Sequence, residues 1–234
     1  MNTRRSVWCI DLGVMDFPRV HSLQLEIVDA RISGKIGRDV VLLLEHPPVF
    51  TIGRRGGQAH LKVSSSFLKD AGMDLLHIER GGDITFHGPG QLVLYPIFQL
   101  RRAGLGVVDF VRKLEEVMLR SAMDAGVSSE RNVRNHGIWV GDRKLGFVGI
   151  AVRRSTSFHG IALNVDLPLI PFTWIDPCGL ENVHVTSLNL EADYTVKIDE
   201  MKMAFRKHLE DIFSIDLKVV TLDKLKDLFL SNQH

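Results

Sequence analysis

A chain of 234 residues, 45% hydrophobic and 24% charged with a net charge of +1, can bury a sizeable core and is too balanced for a general nucleic-acid binder. The length suits one large domain, or one domain with a small appendage. Its two cysteines, Cys9 and Cys178, lie in unlike settings far apart, which suggests no disulfide framework and a cytoplasmic home; no apolar run reaches membrane-span length and no signal-peptide-like segment opens the chain.

Residues 7–12 read as a first strand. Asp16 is placed to cap a helix with Pro18 in its opening turn and Val20, Leu23, Ile27 and Ala30 at helical spacing, with Gly34 and Gly37 ending it. Residues 39–45 form a continuous apolar run, the mark of a strand buried on both faces. Residues 46–53 are expected to stop that strand and open a loop ending in Arg54-Arg55-Gly56-Gly57, and 64–71 to form a short helix. The stretch from Arg80 to Gln91 is polar and glycine-dense between apolar flanks, a composition suited to tight turns and close approach to a ligand. Residues 91–100 read as another buried strand, and 107–125 as a helix that Gly126 terminates. A hairpin follows over 137–140 and 144–152 around Gly141-Asp142, then a strand over 158–165. Pro168, Pro171 and Pro177 break up the segment leading to Cys178, and helices over 196–213 and 221–230 flank a short strand. Without regular βαβ alternation the class is α+β. Residues 1–190 are expected to form the main body and 191–234 a C-terminal helical extension packed on the same domain.

Cys178 stands between Pro177 and Gly179, rigid backbone before it and permissive backbone after, which suits a presented nucleophile as well as a small residue filling a turn. Cys9 alternates with Trp8 and Ile10 in an apolar strand and reads as a packed thiol. A thiol reactive near neutral pH needs a cation or base beside it; His87, His159, His184 and Lys144 are the candidates. Lys144 begins an apolar strand just past a turn, where a lysine is commonly only a hairpin-edge charge. Ten histidines are scattered singly with no HExxH, CxxC or zinc-like spacing, so no metal site is expected, and no phosphate-binding glycine motif is complete. Six basic residues (Arg131, Arg134, Arg143, Lys144, Arg153 and Arg154) against Asp142 over 131–160 suit either an acidic partner or a solvated strand face.

The pattern Arg80-Gly-Gly-x-x-Thr-Phe-His-x-x-Gly-Gln-x-Val-x-Tyr95 resembles the signature of the lipoyl(octanoyl) transferase family. Three further blocks agree in order and spacing: Glu45 to Gly53; Arg143-Lys-Leu-Gly-x-x-Gly149 with Ser157-Phe-His-Gly-Ile-Ala-Leu-Asn-Val165; and Pro177-Cys-Gly179 followed by Val185-Thr-Ser187. The resemblance spans residues 5–190 and leaves the C-terminal remainder uncovered.

The resemblance implies a biotin/lipoate protein ligase-like α+β fold, a mixed sheet flanked by helices, and transfer of an octanoyl or lipoyl group from acyl carrier protein. The acceptors it implies are lysines in the lipoyl domains of 2-oxo-acid dehydrogenases and in the glycine cleavage H protein. By family position Cys178 carries the acyl thioester and Lys144 lowers its pKa, while Arg80, Gly81, Gly82, Asp83, Ile84, Thr85, Phe86, His87, Phe147, Val148, Gly149, Gly160, Ile161 and Ala162 bind substrate. No cofactor or metal is implied, and a monomer without nucleic-acid or membrane partners is expected. Two positions depart: Phe147 stands where many relatives have a small residue, and Ala151 where Arg or Lys is common. The alternatives are an ATP-dependent ligase on the same fold and a non-catalytic module that binds acyl carrier.

Overall fold

Strand β1 (Arg5–Val14) buries Val7, Cys9 and Ile10 completely, so Cys9 is a packed thiol whose pKa burial raises. The structure, a computed structural model, describes residues 4–133, 135–176 and 183–230; Arg134 and Cys178, with Pro177 and Gly179, lie outside them. The Asp16 carboxylate accepts from the Arg19 amide to start α1 (Phe17–Ser33), which buries Val20, Leu23, Ile27 and Ala30 before Gly34 closes it. Strand β2 (Val40–Glu45) is buried on both faces, as its unbroken apolar run predicts.

Residues 46–53 depart from the expected loop: β3 (Val49–Ile52) forms there. After α2 (Ser65–Asp70), strand β4 (Asp74–His77) joins β3 in parallel and β5 (Ile84–His87) joins it antiparallel, making a small sheet. Strand β5 lies inside the glycine-dense stretch, because Ile84, Thr85 and Phe86 favour extended backbone and the glycines are left to the turns at either end.

The chain continues through β6 (Gln91–Ile97), α3 (Val107–Asp124), β7 (Glu130–Asn132), β8 (Asn135–Val140), β9 (Arg143–Arg153) and β10 (Thr156–Asn164). It ends with β11 (His184–Val185), α4 (Leu188–Glu191), α5 (Ile198–Phe213), β12 (Ile215–Val219) and α6 (Leu222–Leu230). Among the described residues the large sheet runs β12-β1-β2-β6-β10-β9-β8-β7, with β11 added in parallel at β9. It is mixed: β12, β1 and β2 are parallel, and each step from β2 to β7 is antiparallel.

Alternation along the strands divides the core. Leu92, Leu94 and Leu163 face Phe110, Leu114 and Met118 of α3 and Phe205 and Leu209 of α5; each such side chain contributes about 1.5–3 kcal/mol when fully buried. Val93, Tyr95 and Ala162 face the opposite way, beneath α1 and the small sheet. The functional features described below lie on that second side. Among the described residues no helix is long and apolar enough to cross a membrane.

Candidate active site

Lys144 is fully buried, which overturns its reading as a hairpin-edge charge. The cause is a bulge. Ile138 pairs with Gly146 but Trp139 pairs with Lys144, so Leu145 is an extra residue on β9. In an unbroken strand, residues three apart point to opposite faces; the extra residue brings Lys144 and Phe147 to the same side. The Lys144 Nζ donates to Asn135 Oδ1 at 3.1 Å and sits 4.9 Å from the Phe147 ring centre and 5.1 Å from that of Trp139. An ammonium so placed gains about 0.5–2 kcal/mol from each ring. Gly137 leaves room for the lysine stem: a Cβ there would stand 3.2 Å from Lys144 Cε and 2.2 Å from the Gly146 carbonyl oxygen.

The segment beyond Cys178 returns to this lysine. Val185 pairs with Lys144 across β11 and β9, and the Thr186 amide donates to the Lys144 carbonyl at 2.9 Å. Before the cysteine, the Asp176 amide donates to the His60 carbonyl at 2.9 Å, and the Asp176 carboxylate pairs with Lys62.

Arg80 is buried and lies against β3, donating to the Thr51 carbonyl at 2.6 Å and to its hydroxyl at 2.9 Å. It therefore fastens the glycine-dense stretch to the small sheet, since charge-assisted bonds of this kind contribute about 1.5–3 kcal/mol each. Along β5, Thr85 and His87 face an internal cavity, while Ile84 and Phe86 point into the core beside Phe50. Gly81, Ile84, Phe86 and Asp83 do not line the cavity; Asp83 turns its carboxylate to the Ile84 amide.

Two buried histidines, His87 and His159, line the cavity, and a third, His46, packs against the lining residue Tyr95. Nδ1 of His46 lies 2.7 Å from the Met15 carbonyl, so it carries the proton, and the Tyr95 hydroxyl donates to Nε2 at 2.9 Å. Burial pushes His46 down to about 4 and His87 down to about 3, lowers His159, and raises Tyr95, so all four are neutral near pH 7. His87 Nδ1 donates to Gln91 Oε1 at 2.6 Å, and the Gln91 amide donates to Asn164 Oδ1 at 2.9 Å. Asn164 in turn donates to the Thr186 carbonyl at 2.9 Å. This buried chain of amides links the cavity wall to the strand segment held against Lys144.

About 510 Å³ of space lies between these walls, open solvent included. Of the predicted residues, Arg80, Gly82, Thr85, His87, Phe147, Val148, Gly149, Gly160, Ile161 and Ala162 line it; Lys144 stands just behind Phe147 and Asn135. Cys178 lies outside the described residues, so its place in this site is not described. Phe17, Ile78, Tyr95, Asn135 and His159 line the cavity without having been assigned to substrate binding. Tyr95 closes the sequence signature and so carried a signal. Asn135 carried none, because only the bulged pairing of β8 with β9 brings it to Lys144.

The basic excess over 131–160 is largely satisfied within the chain. Arg131 pairs with Glu115 and Glu116, Arg143 with Glu191, and Arg153 with Asp29. Arg54 and Arg55 are exposed on the loop after β3, their amides bonded to the carbonyls of Arg80 and Gly82.

Residues 19–210 match the model of the lipoyl protein ligase A/B catalytic domain. An octanoyltransferase of Desulfotalea psychrophila is 46% identical over 219 residues, 93% of this chain and 98% of that protein. An octanoyltransferase of Syntrophobacter fumaroxidans is 40% identical over 224 residues, 96% and 98% of the two chains. The solved structure of lipoate-protein ligase A bound with ATP superimposes with a TM-score of 0.73 over 98% of this chain and 94% of that one, at 16% identity. That likeness shows the expected fold, a mixed sheet flanked by helices. The chain belongs to the lipoyl protein ligase A/B catalytic-domain family and, within it, to the octanoyltransferases.

Proposed function

We propose that this protein transfers an octanoyl group from the phosphopantetheine thioester of acyl carrier protein to a lysine of a lipoyl domain, through a thioester on Cys178. The observation that carries the reading, beside family membership, is a buried lysine at the edge of a mostly apolar cavity, on the strand that also holds the chain beyond Cys178.

The Cys178 thiolate attacks the octanoyl carbonyl, the carbon–sulfur bond to phosphopantetheine breaks, and the departing thiolate takes a proton from Lys144. This thiol-for-thiol exchange is close to thermoneutral. The acceptor amine then gives a proton to Lys144 and attacks the acyl-enzyme; an amide forms, and Cys178 leaves as the thiolate. The amide is more stable than the thioester, so the second step runs downhill without nucleotide. Neutral His87 and His159 and a protonated Tyr95 keep the cavity free of competing nucleophilic charge, with Arg80 its fixed cation. An acidic carrier fits Arg54 and Arg55, which are exposed beside the cavity wall. The acceptors are the lipoyl domains of 2-oxo-acid dehydrogenases and the glycine cleavage H protein, and the enzyme acts as a cytoplasmic monomer.

Incubation with octanoyl-carrier protein and an apo-lipoyl domain, without nucleotide, tests the reading. Octanoylated domain accumulates; accumulation only when ATP and free octanoate are supplied would instead identify a ligase.

Phe147 forms the wall that measures the chain. Its ring stacks on Phe172 at 5.4 Å and 4°, and Phe172 abuts Phe86 edge-on at 5.6 Å, so the wall is braced from behind. Each methylene accommodated contributes about 0.8 kcal/mol, or roughly fourfold in binding. Phe147→Ala is expected to raise the dodecanoyl-to-octanoyl ratio of kcat/KM by about tenfold or more. An unchanged ratio, measured by competition between the two acyl-carrier substrates, would move chain-length selection elsewhere.

A further inference from the structure

His21 of α1, Glu79 of the turn before Arg80, and His159 of β10 come from three distant segments, yet one ligand atom of each lies within 4.8 Å of the other two. Glu79 Oε2 stands 2.9 Å from His21 Nε2 and 3.5 Å from His159 Nε2. Donor atoms around a tetrahedral zinc ion are about 3.4 Å apart, given bonds near 2.1 Å. His159 is 1% exposed, and its Nε2 makes no hydrogen bond of good geometry although it is sealed from water. A buried polar atom left in that state needs a partner. The residue is held with care: its backbone adopts φ 54°, uncommon for a side chain with a Cβ, and its amide donates to the buried Gln24 at 2.7 Å.

We propose that His21, Glu79 and His159 form a binding site for a zinc-class divalent cation at the rim of the cavity, with the fourth position open to water. Two imidazoles and a carboxylate are the donor set such an ion prefers. The His21 and His159 rings lie 5.4 Å apart at 12°, nearly parallel; bringing both lone pairs onto one ion takes a rotation of His21, whose side chain is 22% exposed. Glu79, 40% exposed, follows easily. Ile78, Arg80 and His159 all line the cavity, so an ion here ties α1 to the turn that seats Arg80 and to β10, and stiffens the rim. The proposal is independent of the acyl-transfer reading.

Calorimetric titration of the metal-free full chain with zinc chloride tests it, beside cobalt(II) absorption. One ion per chain with micromolar or tighter affinity is expected, with a cobalt spectrum lacking thiolate charge transfer and a melting temperature that rises with zinc. His21→Ala and Glu79→Gln are each expected to weaken binding by about tenfold or more, whereas Cys178→Ala leaves it unchanged. His21 is part-exposed on a helix, where alanine folds well, so loss of binding there is not loss of structure. Absence of binding, affinity indifferent to both variants, or binding lost in Cys178→Ala would each overturn the assignment.

Discussion

Lys144→Met is expected to slow formation of the acyl-enzyme by about 10²- to 10⁴-fold, the usual worth of a positioned proton carrier. Methionine follows the path of the lysine stem and fills the same space between Trp139 and Phe147, so the neighbouring rings keep their contacts. What is lost is the amine beside Asn135. The melting temperature should stay within a few degrees of wild type, because the substitution also removes the cost of burying a polar head in a site with no water access. Single-turnover mixing with octanoyl-carrier protein separates the two effects. A rate unchanged in a folded Lys144→Met protein would remove the lysine from the chemistry.

Gly137→Ala is expected to cost more than about 4 kcal/mol of stability, a fall of roughly 8 °C or more in melting temperature for a chain of this size. Gly137 has φ 129°, a conformation L side chains rarely adopt, and a Cβ there would meet the Gly146 carbonyl oxygen at 2.2 Å. Relief requires separating β8 from β9 at the bulge that aims Lys144, so residual folded protein should also lose acyl-enzyme formation. Thermal denaturation followed by circular dichroism checks the first effect. A variant as stable as wild type would mean that the β8–β9 pairing tolerates a shift, and that the bulge is not what fixes the lysine.

The sequence announced some of this directly and concealed the rest for physical reasons. The unbroken apolar run of β2 and the helical spacing in α1 were legible because burial imposes a period on each. The glycine-dense signature was legible as a binding segment, but not as a strand, since β-branched and aromatic residues within it outweigh the glycines that frame it. Lys144 was legible by family position alone. Its burial depends on the extra residue Leu145, and a bulge is a property of two strands in register, which neither strand states by itself. Phe17, Asn135 and His159 reach the cavity by tertiary packing from three separate elements, and the convergence of His21, Glu79 and His159 is hidden for the same reason. Residues 46–53 misled because two prolines precede β3, which forms through pairing with β4 and β5.

The polar chain from His87 through Gln91 and Asn164 to Thr186 gives the two parts of the site a common frame. All of these side chains are buried, so each lost partner leaves an unsatisfied group costing about 1–3 kcal/mol. The cavity and the strand bearing Lys144 are thereby held in one fixed relation, as the proposed acyl transfer would require.

The most direct test is intact-mass measurement of the protein after mixing with octanoyl-carrier protein in the absence of nucleotide. Wild-type protein is expected to gain one octanoyl group, mapped by peptide analysis to Cys178, and Cys178→Ala to gain none. An adduct that persists in Cys178→Ala, or acyl transfer to a lipoyl domain with no adduct on the wild type at any time, would contradict a covalent mechanism at this cysteine.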